Sequence, residues 1–242
     1  MRRHISVLML YVRSTLYPVL AVLLLTAAAE LVGFRLLGCD QAGSFGAGYR
    51  IPVQTVFSAA YVLTVCFCCG SVRKTVKTGY TLQRLRISEF WVFVWHSVSN
   101  ICMLALLWMT QAFVVFLLAR QFAAGENYMQ GAQGMFIDFY RTEILHGLLP
   151  LDEVSLWVRN GLCILASGTA VAYGTLRARY GKFPLALRII AALTLRTFPA
   201  PIGSGTEGGL IVSIVMFFAV IVCVVGAVLT ANNGEGREYD DF

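Results

Sequence analysis

Charged residues and histidines are scarce in this sequence. Only 13% of its 242 residues are charged and three are histidines, whereas 58% are hydrophobic. An average soluble domain carries about a quarter charged residues, so this composition argues against an ordinary soluble protein. Only His96 lies in a long apolar run, and a membrane haem or di-metal site needs at least two facing ligands. We therefore expect no metal site, and either an isolated polar role or a hydrogen-bonded role for His96.

Motifs for nucleotide binding and catalysis are also missing. The glycine-rich residues 203–209 lack the lysine of a Walker P-loop. An intramembrane serine protease would need a histidine in a later apolar run, and none is present. The seven cysteines do not form paired loop spacings, which argues against a disulfide framework. These absences predict a chain with no catalytic site, no metal and no cofactor of its own.

Long apolar runs take the place of these features. The runs reach about 20 residues, enough to cross a bilayer, and the mean hydropathy is +0.72. A segment in lipid must satisfy its backbone hydrogen bonds internally, and the alternating pattern of a β-barrel is not seen. The net charge of +6 suits cytoplasmic loops and anionic headgroups better than nucleic acid. We predict an all-α, polytopic transmembrane helix bundle in contact with lipid, with no nucleic-acid partner.

The apolar runs predict one transmembrane domain over residues 1–242. Residues 3–14 place apolar side chains on one helical face next to several arginines, which predicts an interfacial helix with a cytoplasmic N-terminus. The firm spans are predicted at about 16–37, 51–70, 90–118, 156–176 and 209–229.

Residues 184–199 are compatible with two structures. The segment is apolar but contains Arg188 and Arg196, and a proline stands at each end. A helix of this length spans about 24 Å, less than the roughly 30 Å hydrocarbon core. A short span here would give six spans and a cytoplasmic C-terminus. An interfacial helix would give five spans and an external C-terminus, and positive-inside counting favours this second reading.

Two charged residues lie within the first predicted span. Glu30 and Arg35 are near its far end, and a charge within the hydrocarbon is costly. One interpretation is that both side chains reach the outer headgroups. The other is an intramembrane polar contact, either with a partner helix or along a transport route.

The segment between the second and third spans is strongly basic. Residues 71–88 read SVRKTVKTGYTLQRLRIS, and Ser88 is a good N-cap for the helix that follows. Gly79 divides the segment, and its second half leads directly into the long third span. One interpretation is a positively charged loop that obeys the topology rule. The other is a rigid element that carries force from a cytoplasmic partner into the span.

This order of elements resembles a known family. An amphipathic N-terminal helix, a helical hairpin and a basic Thr-Leu-x-Arg-Leu-x-Ile-Ser stretch before a long helix look like the permease subunit of an ABC type-2 (type V) exporter. The resemblance covers roughly the first half of the chain. In that family the segment corresponding to residues 78–88 is the coupling helix that contacts the ATPase, and the N-terminal helix touches the ATPase too. The coupling residues implied here are Thr78, Gly79, Tyr80, Thr81, Leu82, Gln83, Arg84, Leu85, Arg86 and Ser88.

The resemblance implies a six-span protein of the bacterial inner membrane. It would pair with a second permease subunit and with separate ATPase subunits that hold ATP and Mg²⁺. Its substrate would be hydrophobic or amphipathic, such as a lipid, a peptide or a drug. The alternative is a non-transporting accessory or immunity protein that acts through helix–helix contacts. An intramembrane enzyme, the third reading, would need a cluster of polar residues at one depth, which the sequence does not show.

Overall fold

The structure is a computed structural model, and within the residues it describes the chain is all-helical. These residues are 2–36, 45–73, 88–123, 147–150, 154–179, 185–197 and 205–240. The helices of 13 residues or more are α1 Arg2–Leu36, α2 Phe45–Arg73, α3 Glu89–Ala123, α4 Val154–Arg179, α5 Leu185–Thr197 and α6 Gly205–Asp240. The predicted all-α class is confirmed.

Four helices in the described part of the chain are long and apolar enough to cross a membrane. Their apolar stretches are Ile5–Leu36, Glu89–Gln121, Val154–Arg179 and Gly208–Asn232. The last of these, in α6, leaves a row of large apolar side chains exposed, with Phe218 59% and Val222 61% exposed. Such a face is unfavourable in water but compatible with lipid acyl chains. The chain is therefore a membrane protein with transmembrane helices.

Contacts between α1 and α3 define two ends of the bundle. At one end, Val7 and Tyr11 of α1 pack with Val92 of α3 in a small apolar cluster, and we call this the Tyr11 end. At the other, Glu30 of α1 is hydrogen-bonded to Gln111 of α3, and we call this the Glu30 end. α1 and α3 therefore run parallel, from the Tyr11 end to the Glu30 end.

α4 is the central helix of the bundle. It packs against α2, α3, α5 and α6, and its stretch from Ala166 to Ala172 is buried on all sides. Most side chains in this stretch are small, which lets neighbouring backbones approach closely. At Gly168, a Cβ atom would stand 2.5 Å from Ile101 Cγ1 and 2.9 Å from the Ile101 backbone nitrogen. The crossing of α3 and α4 therefore requires a glycine at this position.

α4 and α6 run parallel to each other. Gly209, near the start of α6, lies against Leu156 near the start of α4, and further along Gly226 lies against Tyr173. α4 ends with Arg179 at the Tyr11 end, so α6 also runs from the Glu30 end to the Tyr11 end. The chain must return between the two helices, and α5 lies in that return. Its 13 residues span about 20 Å, less than the roughly 30 Å hydrocarbon core.

The helices extend beyond the spans predicted from hydropathy. Four predicted spans fall inside a helix or extend at most one residue beyond it: 16–37 in α1, 90–118 in α3, 156–176 in α4 and 209–229 in α6. The predicted span 51–70 lies inside α2, and the segment 184–199 overlaps α5. Hydropathy marks the part of a helix that suits hydrocarbon. Backbone hydrogen bonding continues into the polar flanks, so the helix ends are not visible in hydropathy.

The predicted interfacial helix at residues 3–14 is not a separate element. These residues form the first part of α1, a single helix that continues through Ser14, Thr15 and Pro18. The Ser14 and Thr15 hydroxyls donate to the Tyr11 carbonyl, at 2.8 and 2.9 Å. Polar side chains satisfied in this way do not end a helix, which explains why the polar stretch between the two predicted elements leaves no break.

Candidate functional site

A buried polar cluster joins α1, α3 and α4 at the Tyr11 end. The His96 ring is 2% exposed and stacks on Tyr11, with ring centroids 4.4 Å apart and an interplanar angle of 18°. Thr175 Oγ1 donates to the Ala172 carbonyl at 2.7 Å. His96 Nδ1 and Thr175 Oγ1 are hydrogen-bonded across 3.2 Å. The predicted hydrogen-bonded role of His96 is confirmed.

Arg179 closes this cluster at the last turn of α4. Its Nη2 donates to the Tyr11 hydroxyl at 3.2 Å, and Cys68 of α2 lies beside His96. The cluster therefore sits where α3 begins and where α2 and α4 approach their ends. Arg13 and Arg179 are exposed at this end of the bundle.

The predicted coupling segment immediately precedes α3 in the sequence. Nine of its residues, 78–86, lie outside the described residues, as does the rest of 74–87. Ser88 is described: it is exposed and immediately precedes α3, and its carbonyl accepts a hydrogen bond from the Val92 amide at 3.3 Å. Val92 in turn packs with Tyr11. The start of α3 and the first part of α1 are thus adjacent.

A second cluster lies deeper in the bundle and joins α2, α4 and α5. The Tyr61 hydroxyl donates to Ser167 Oγ at 2.8 Å. Ser167 Oγ and Thr194 Oγ1 are 3.0 Å apart, and Thr194 donates to the Ile190 carbonyl at 2.8 Å. Ser167 is therefore the donor to Thr194, and the chain of donors ends on a backbone carbonyl. It fixes α5 to the central helix.

A small cavity lies beside this cluster. Its volume of about 10 Å³ is enough for about one water molecule. Trp108 of α3 is part of its wall, together with Tyr61 and Ser167. The Trp108 indole N–H is buried and has no hydrogen-bond partner among the described residues.

A third cluster lies at the Glu30 end. Glu30 is only 2% exposed and accepts a hydrogen bond from Gln111 Nε2 at 2.5 Å. Arg35, one turn further along α1, is exposed and lines an open groove with Gln121. The two residues singled out by the sequence therefore differ: Glu30 makes an interhelical polar contact, whereas Arg35 faces outward.

A buried guanidinium marks the start of α4. Arg159 is 1% exposed, and its Nε and Nη2 donate to Asn160 Oδ1 at 3.3 and 3.1 Å. Asn160 Nδ2 donates to the Gly147 carbonyl at 2.8 Å, and the Trp157 indole donates to the Pro150 carbonyl. These bonds attach residues 147–150 to α4.

Known proteins add no assignment to this geometry. No family model, curated protein or solved structure matches the chain.

The polar clusters are largely a finding of the structure. The sequence shows no polar cluster at one depth, yet helix packing brings together residues that lie 80 to 170 positions apart, such as Glu30 with Gln111 and Tyr11 with Arg179. The available signal was a polar side chain inside an apolar run, as at Gln111 and Arg159. Within the described residues, no three His, Cys, Asp or Glu side chains are grouped as metal ligands would be.

Proposed function

We propose that this chain is the membrane-spanning permease subunit of an ATP-driven exporter of the ABC type-2 class. Separate ATPase subunits, which hold ATP and Mg²⁺, would bind at the Tyr11 end. Closure of the ATPases would push on residues 78–88 and tilt α3. A second permease subunit would complete the route for a hydrophobic or amphipathic substrate.

The contact between the first part of α1 and the start of α3 carries this proposal. Tyr11 stacks on His96 and packs with Val92, so the first part of α1 lies beside the start of α3, the helix that follows the segment assigned to ATPase contact by the resemblance. A partner docked there can touch both. A displacement of Ser88 reaches the membrane interior directly, because α3 has 35 residues and is about 52 Å long.

The proposed topology has six crossings, with both termini in the cytoplasm of a bacterium and the helices in its inner membrane. The parallel arrangement of α4 and α6 supports six crossings. If α5 did not cross the membrane, α4 and α6 would be consecutive spans and would have to run antiparallel. The orientation is supported by charge. Arg177 and Arg179 are in the last turn of α4, at the Tyr11 end, and the basic segment 71–88 connects α2 to α3 in the sequence. Positive charge favours the cytoplasmic side.

Co-purification with an ATPase tests the proposal. The chain is co-expressed with a Walker-motif ATPase from a neighbouring gene of its source genome and isolated through a tag on the chain. We expect the ATPase to co-purify, and we expect Arg84→Glu with Arg86→Glu to reduce its recovery at least tenfold, because both charges lie in the proposed contact. Arg120→Glu is the matched control, since Arg120 is an exposed arginine at the opposite end of α3.

Two outcomes contradict the proposal. If the double variant retains the ATPase as well as Arg120→Glu does, residues 78–88 are not the coupling element. If the wild-type chain recovers no ATPase, the accessory or immunity reading replaces the exporter.

A further inference from the structure

The buried polar atoms that lack a hydrogen-bond partner are concentrated on one helix. Within the described residues, every buried side-chain nitrogen or oxygen without a partner belongs to α3. Besides one nitrogen of His96, they belong to Ser97, Ser99, Asn100, Trp108 and Gln111. Buried polar groups in folded proteins are almost always paired, with protein or with ordered water. A concentration of this kind on one helix therefore points to a common partner.

The densest group of unpaired atoms lies deep within the membrane-spanning part of α3. Asn100 is 1% exposed, and neither its Nδ2 nor its Oδ1 has a partner among the described residues; the Ser97 and Ser99 hydroxyls are in the same situation. Asn100 lies eleven residues after Glu89, the first residue of α3, which corresponds to about 17 Å along the helix. That depth is near the middle of a hydrocarbon core, where an unpaired polar group is especially unfavourable.

A second group lies toward the Glu30 end, on the side of α3 that carries Ser97 and Asn100. Ser99, two residues from Ser97, is on a different side of the helix. Gln111 Oε1 has no partner, although its Nε2 donates to Glu30. Gln111 follows Asn100 by three helical turns, so the two side chains share a face. The cavity with room for about one water lies between them, bordered by Leu104 and Leu107 of α3 and by Ser167 of α4. The Trp108 N–H is also an unpaired donor on this part of α3.

The chemistry of these groups selects their partner. Apart from the His96 imidazole nitrogen, the unpaired atoms belong to hydroxyl, amide and indole groups, all neutral, and they include both donors and acceptors. A cation would need a set of oxygen ligands, and an anion would need a positive charge. A water molecule offers two donors and two acceptors, and buried waters typically make about three hydrogen bonds to such groups.

We propose that the inner face of α3 lines a hydrated path from Ser97, past the cavity beside Ser167, to Gln111 and the buried carboxylate of Glu30. The ligand is water. The path is independent of the ATPase, because it depends only on groups inside this chain. It places the Glu30 carboxyl in contact with water that is continuous with the Tyr11 half of the bundle.

Cysteine accessibility tests the path in the full chain. Each variant is made in a background in which the seven native cysteines are replaced, and it is exposed in membrane vesicles to a small methanethiosulfonate that reacts only with hydrated thiolates. The variants are Ser97→Cys and Ser167→Cys, which exchange a single atom and so disturb folding little, and Gln111→Cys. All should react at least tenfold faster than Ala170→Cys, a fully buried position in the apolar core.

A second control matches the chemistry of the change. Ser213→Cys is a variant of another buried serine, on α6, whose native hydroxyl donates to the Gly209 carbonyl at 2.8 Å. It should react as slowly as Ala170→Cys. The proposal is overturned if the three test positions react no faster than these controls. It is overturned as well if Ser97→Cys reacts while Ser167→Cys and Gln111→Cys do not, because the water would then form an isolated pocket and not a path.

Discussion

Glu30 of α1 and Gln111 of α3 form a buried hydrogen bond between two helices of the bundle. The Gln111 amide nitrogen lies 2.5 Å from Glu30 Oε1, and both side chains are almost fully shielded, at 2% and 1% exposure. A carboxylate inside a membrane protein is costly unless it is hydrogen-bonded. The bond therefore both ties α1 to α3 and compensates for part of the cost of burying Glu30.

Loss of the Gln111 amide should destabilise the bundle. Gln111→Leu removes the donor to Glu30, and we expect the free energy of unfolding to fall by about 1–2 kcal/mol, in the range of polar contacts between membrane helices. Titration with SDS in mixed micelles, followed by tryptophan fluorescence, measures this change. Gln121→Leu is the control, because Gln121 is an exposed glutamine on the same helix. Equal stability of the two variants would show that the bond contributes nothing.

Hydropathy predicted where the helices are but not how they face each other. The apolar runs located α1, α3, α4 and α6, because length and apolarity suffice to identify a span. Orientation is a different matter in lipid, where both the buried and the exposed faces of a helix are apolar. In α4 the buried stretch is distinguished by its small and polar residues, such as Ser167, Gly168 and Thr169, and not by greater apolarity.

The polar clusters escaped sequence reasoning for a related reason. The partners of Tyr11, Tyr61 and Glu30 lie on other helices, so no local pattern links them to their contacts. Glu30 was identified because it is charged, but its partner Gln111 is one of several polar residues in a long apolar run. Conversely, the coupling segment at residues 78–88 was identified from a local motif, and only Ser88 of it lies in the described part of the chain.

A methyl group at Gly168 should disrupt the crossing of α3 and α4. Its carbon would stand 2.9 Å from the Ile101 backbone nitrogen, which cannot move without shifting α3. We expect Gly168→Ala to lower the free energy of unfolding by about 1–3 kcal/mol, the usual cost of overpacking. Thermal unfolding in detergent is a sufficient measurement.

Gly161→Ala is the matched control for that change, in the same helix. Nothing lies within 4 Å of a Cβ atom at Gly161, and alanine favours a helix over glycine by up to about 1 kcal/mol. This variant should be neutral or stabilised. A loss of stability in Gly161→Ala equal to that in Gly168→Ala would mean that the contact with Ile101 is not the cause of the loss.

Loss of the buried Tyr61 hydroxyl should lower the free energy of unfolding more than loss of the exposed Tyr17 hydroxyl. Tyr61→Phe leaves the ring in place but removes the donor to Ser167, so we expect a loss of about 1 kcal/mol in the free energy of unfolding. Tyr17→Phe, at a side chain 74% exposed, should have no effect. If Tyr61→Phe combined with Ser167→Ala costs as much as the sum of the single variants, the two hydroxyls do not interact.

Labelling from each side of the membrane should determine the orientation of the bundle. Single cysteines at Arg13 and Arg120, which are exposed at opposite ends, should react with an impermeant thiol reagent from opposite sides. We expect Arg13→Cys to be labelled only in inside-out vesicles and Arg120→Cys only in intact cells, because the basic Tyr11 end favours the cytoplasm. Phe242→Cys should follow Arg13→Cys if the chain crosses six times. If Phe242→Cys is instead labelled from the outside while Arg13→Cys is labelled from the cytoplasm, the number of crossings must be odd. In that case α5 does not cross the membrane between α4 and α6.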